Sequence, residues 1–134
     1  MMIRLALTTL LVLATIFVVP IVVYGLFSSV SGLEPPGESP LLFLLGVFVS
    51  KAGTALAFVW IYYVARESFE GRWPLYAAIW MTMFGFGEVG QAIGPDYSWQ
   101  EAVAGMISEM IYFSASAYIV NKLIGAKTAT MTKT

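Results

Sequence analysis

Three charged side chains lie in stretches that are otherwise almost wholly apolar: Lys51, Glu88 and Glu109. A charge at the centre of a bilayer costs roughly 2.5–3.5 kcal/mol on insertion scales. Such residues are retained where they face a protein interior, a partner or water. One base and two acids do not cancel, so one carboxyl must be protonated, hydrated or hydrogen-bonded. A carboxyl that takes up and returns a proton on a hydrated path is what proton-coupled transport requires. Gln91 follows Glu88 by three residues and Tyr112 follows Glu109 by three, one helical turn in each case. Glu88, Glu109, Lys51, Gln91 and Tyr112 therefore form the candidate proton or substrate site. Glu88 is the expected unpaired acid: it lies nearer a chain turn, and Gly85, Gly87 and Gly90 leave the backbone open around it. The simpler alternative is that Lys51 pairs with Glu109 or Glu88 and pins the helices in register.

The composition excludes much other chemistry. With no cysteine and no histidine, the chain has no disulfide, thiol nucleophile, histidine base, or Cys or His metal ligand. Two carboxylates and Gln91 offer too few oxygens for a hard cation. Neither a cofactor nor a metal is expected. A net charge of −1 leaves no electrostatic footprint for nucleic acid. Hydrophobic residues make up 59% of the chain and charged residues 11%, against about 25% charged in a soluble domain. Mean hydropathy is +0.82. The lipid bilayer is thus the expected surrounding.

The elements that must position the charged residues are four apolar runs, each long enough to span hydrocarbon at about 20 residues. They cover about 3–27, 40–65, 73–94 and 98–124. The first run is too long for a cleaved leader, whose apolar region has about 7–15 residues. Pro20 is expected to kink it. Residues 32–39, GLEPPGES, form a turn, and Ser39-Pro40 reads as an N-cap followed by proline at the first helical position. Residues 66–72 are a polar loop. Ser98 with Glu101 three residues later is a capping box, and Gly125 a C-terminal cap. Residues 126–134 are expected to be a disordered tail.

Small residues supply the expected contact faces: Gly46, Ser50 and Thr54 on the second run, Gly90 and Gly94 on the third, Gly105 on the fourth. Glu101, Gly105, Ser108, Glu109, Tyr112 and Ser116 advance by threes and fours, which makes one polar stripe. Phe84, Glu88, Gln91 and Pro95 do the same on the third run. Met81, Met83, Met106 and Met110 read as packing residues. At 1.5 Å per residue, Lys51 and Glu109 both lie roughly 16 Å from one end of their helices, with Glu88 roughly 10 Å from the same side.

Six of the seven basic residues, Arg4, Arg66, Arg72, Lys122, Lys127 and Lys133, fall on one side of a four-span chain. The positive-inside rule puts that side in the cytoplasm. Trp73 and Tyr76 then mark the inner interface, Tyr97 and Trp99 the outer. The expected fold is an all-α membrane protein, with residues 1–125 forming one antiparallel four-helix bundle with short loops and both termini cytoplasmic. Its expected place is a bacterial or archaeal cytoplasmic membrane. Three functions fit. The first is a small proton-coupled transporter or channel subunit, as a homo-oligomer. The second is an accessory or assembly subunit docked on a membrane partner protein. The third is a membrane enzyme acting on lipid or quinone, the weakest because no nucleophile–base pair accompanies the acids.

Overall fold

A computed structural model describes residues 1–31 and 39–126. The expected turn at 32–38 and the tail at 127–134 lie outside the described residues. Four helices make up the fold: α1 (Met2–Ser31), α2 (Pro40–Ala65), α3 (Trp73–Ile93) and α4 (Trp99–Ile124). Three of them, α1, α2 and α4, are long and apolar enough to cross a membrane. The expectation of four equivalent spans is therefore met in part. α3 is diluted by Thr82, Glu88, Gln91 and its glycines, and it does not reach the same apolar grade.

Helix boundaries follow local chemistry. Ser39 accepts from the Leu42 amide at 3.4 Å, and Pro40 opens α2. At α4 the capping box is complete: Ser98 Oγ accepts from the Glu101 amide at 3.1 Å, and Glu101 Oε2 accepts from the Ser98 amide at 2.7 Å. α1 runs through Pro20 and extends past 27 to Ser31. Ser28 and Ser29 donate back to the Gly25 and Leu26 carbonyls, which keeps the last turns wound. The loop from α2 to α3 reverses at Gly71, whose φ of 68° is a conformation few other residues accept.

α4 is the axis of the fold. It packs along α1 and α3, and more lightly on α2, which leans mainly on α1. Each neighbour in sequence runs antiparallel: Phe17 of α1 meets Phe48 of α2, Phe58 of α2 meets Tyr76 and Trp80 of α3, and Trp73 of α3 meets Tyr118 of α4. Thus Arg4, Arg66, Arg72 and Lys122 belong to one end, while Tyr24, Tyr97 and Glu101 meet at the other.

The core is aromatic on the basic side. Phe58, Tyr62, Tyr76, Trp80, Phe84 and Phe113 form a run of tilted and edge-on rings 4.7–6.3 Å apart, a geometry that ring quadrupoles favour. These large rings, rather than close backbones, join α2 to α3. Tyr76 is the clearest departure from expectation. It is fully buried, not an interfacial anchor, because its hydroxyl finds the Phe58 carbonyl inside the core.

Candidate functional site

The polar stripe of α4 faces inward. Gly105, Ser108, Glu109, Tyr112 and Ser116 are all buried, because α1 and α3 cover that face from two sides. Glu88 of α3 comes to it from across the helix pair. Its carboxylate fills the space beside Gly105 that a β-carbon would take. The small residue is therefore a socket for a carboxyl group rather than a seat for a helix backbone.

In that socket Glu88 Oε2 accepts the Tyr97 hydroxyl proton at 2.6 Å, and buried Glu109 lies one turn along α4 from Gly105 on the same face. Two carboxylates cannot hydrogen-bond each other, so a bond between these acids needs a proton on one of them. Beyond Tyr97 stands Tyr24 of α1, its hydroxyl 3.1 Å from the Tyr97 oxygen and 3.1 Å from the Glu101 carbonyl. With Tyr97 donating to Glu88, the single Tyr24 hydroxyl proton is divided between the Tyr97 oxygen and the Glu101 carbonyl. Tyr97 lies in the α3–α4 turn. Burial first, then its bond to Glu88, raises its phenol above the ordinary range, so it remains a protonated donor.

Lys51 does not form the expected ion pair. Its Nζ donates to the Tyr112 hydroxyl at 3.2 Å and lies 4.8 Å from the Tyr112 ring centroid. The two carboxyl groups act on it through space. Tyr112, one turn along α4 from Glu109, is the hydrogen-bond partner of Lys51 instead. Past Tyr112 the same face carries Ser116, whose buried Oγ has no hydrogen-bond partner. Near its end, Asn121 Oδ1 accepts from Tyr62 at 3.0 Å.

The other sequence candidates are placed differently. Gln91 is exposed and bonds neither carboxyl. After Glu88 the buried face of α3 continues at Ala92, and Gln91 lies about 100° around the helix from it. Gly46, Ser50 and Gly90 are exposed, with no neighbour within 4 Å of a β-carbon built at either glycine. Thr54 bonds its own helix at Ser50, and the nearest neighbour of Gly94 is the carbonyl of Gln91. Sequence reasoning missed Tyr24 and the role of Tyr97. The depth count could have found Tyr24: it lies seven residues before Ser31, as Glu88 lies seven before Pro95, roughly 10 Å in each case.

One carboxyl of α3 and one of α4 face the interior of a bundle in which α1, α2 and α4 are long and apolar enough for a membrane, and phenols link Glu88 to one end of it. That arrangement belongs to a small helical protein of membrane composition. The chain matches no known family model, no characterised protein and no solved structure.

Proposed function

We propose that this chain is a four-span proton-coupled transporter or channel subunit whose proton site is the Glu88–Glu109 pair. The observation that carries the reading is the Glu88 carboxylate seated against Gly105, one turn from buried Glu109, and linked through Tyr97 to Tyr24 at the bundle end. Phenols and carboxyls in hydrogen-bonded sequence are groups between which a proton passes. On the other side, the unfilled hydroxyl of Ser116 is a ready partner for a water molecule. The Tyr62–Asn121 bond continues the polar face toward the basic end.

α3 counts as the fourth span in this reading. It has 21 residues, about 32 Å of helix, and it meets α4 from Trp73 near one end to Glu88 near the other. Arg4, Arg66, Arg72 and Lys122 then face the cytoplasm, and the Tyr24–Tyr97 end faces out. A second reading, docking on a partner protein or a second copy, is favoured by the open faces at Gly46, Ser50 and Gly90, because small residues admit another helix closely.

The test is proton flux into liposomes carrying the purified protein under an imposed pH gradient. Wild type should dissipate the gradient. Glu88→Gln and Tyr97→Phe should reduce the flux at least tenfold while circular dichroism and thermal unfolding show a folded protein. Flux in Glu88→Gln equal to wild type refutes the assignment.

A further inference from the structure

On the outer side of the α3–α4 pair lies an open groove of about 410 Å³, walled by Met81, Gly85, Val89, Met106 and Met110, with Glu109 on its lining. Glu109 is 5% exposed, and its Oε2 is buried with no hydrogen-bond partner. A buried acceptor left empty is costly, and the residue that carries it lines a cavity of ligand size. The walls are almost wholly apolar. The three methionines are unbranched and polarisable, so they adapt to varied shapes. An apolar cavity with one unfilled anionic acceptor at its wall complements a molecule with an apolar body and one positive donor.

We propose that this groove binds an amphipathic ammonium compound, its body against Met81, Met106 and Met110 and its N–H on Glu109 Oε2. The proposal rests on the proton reading for its coupling, though not for the site itself. The charges set the stoichiometry. Beside a charged Lys51, the two acids make a neutral cluster when they hold one proton between them. Entry of one monovalent ammonium adds one positive charge, and loss of the shared proton from the Glu88–Glu109 pair restores the balance. One proton therefore leaves for each cation bound, and one returns when it departs.

The experiment uses the full chain in lipid nanodiscs and two probes of nearly the same shape, 1-naphthylmethylammonium and the neutral 1-naphthylmethanol. Binding is read by naphthalene fluorescence against empty nanodiscs, and proton release by an indicator dye in weak buffer. The ammonium should bind saturably and release about one proton. Glu109→Gln should weaken it about tenfold or more, the loss expected for one charge-assisted hydrogen bond, and leave the alcohol unchanged. Gly85→Trp, which fills the groove, should abolish ammonium binding. Equal binding of ammonium and alcohol, unchanged binding in Glu109→Gln, or a Met110→Cys crosslink showing a second copy in the groove would overturn the assignment. Saturable ammonium binding without proton release supports the groove and removes the proton coupling. Proton flux without ammonium binding does the reverse.

Discussion

Replacing Gly105 with alanine should destabilise the protein, although alanine is the better helix former. Ala gains about 0.8–1.0 kcal/mol over Gly inside a helix. At Gly105, however, the new methyl group would occupy the position of the Glu88 carboxylate. Glu88 must then leave the socket and give up the Tyr97 bond, worth about 1.5–3 kcal/mol for a charged acceptor. The difference is a net loss of about 0.5–2 kcal/mol. Gly87 and Gly90 are the internal controls. Nothing lies within 4 Å of a β-carbon at either position, so alanine there should be neutral or stabilising by up to about 1 kcal/mol. Reversible unfolding in mixed micelles measures all three, and in a Glu88→Ala background, where the Tyr97 bond is already gone, Gly105→Ala should no longer destabilise. A Gly105→Ala protein as stable as Gly90→Ala would mean that the carboxylate does not occupy the socket.

Two further outcomes test other parts of the arrangement. Lys51→Met and Tyr112→Phe should show a larger coupling in a double-mutant cycle than Lys51→Met with Glu109→Gln, because only the first pair is hydrogen-bonded; the opposite order would point to a direct ion pair. A reporter active only in the cytoplasm should work when fused within residues 66–72 or after Thr134 and fail within 33–38, and activity in that last segment would reverse the orientation.

The helices were legible because apolar run length, proline at the first helical position and the Ser98–Glu101 spacing are local signals. The inward face of α4 was legible for the same reason, as a periodicity within one segment. What could not be read was the choice of partner between segments. Lys51 and Glu109 share a depth, but depth does not say that the Tyr112 phenol is the group Lys51 bonds. Gln91 follows Glu88 by one turn, yet only the packing at Ala92 decides which side of that turn is buried. Gly105 looked like any small residue at a helix contact, and its role depends on a side chain from another helix. Tyr24 was hidden because a lone tyrosine in an apolar run has no local feature that distinguishes a site residue from an anchor.

The outer half of α2 stands nearly alone. From Pro40 to Ser50 every residue except Val47 is exposed, and one ring contact, Phe48 on Phe17, ties the segment to its neighbour. For a chain in lipid, acyl tails complete the wall on that side, so the bilayer is itself a structural component of the Lys51 environment. At 26 residues, α2 is about 39 Å long, more than the roughly 30 Å of hydrocarbon it would cross. Such a helix tilts to fit, and it yields first where protein holds it least. Membrane thickness would then set the angle of α2 and, through it, the distance from Lys51 to Tyr112. Proton flux compared in short-chain and long-chain lipids reads this directly, and identical flux in both would show that α2 is held independently of its solvent.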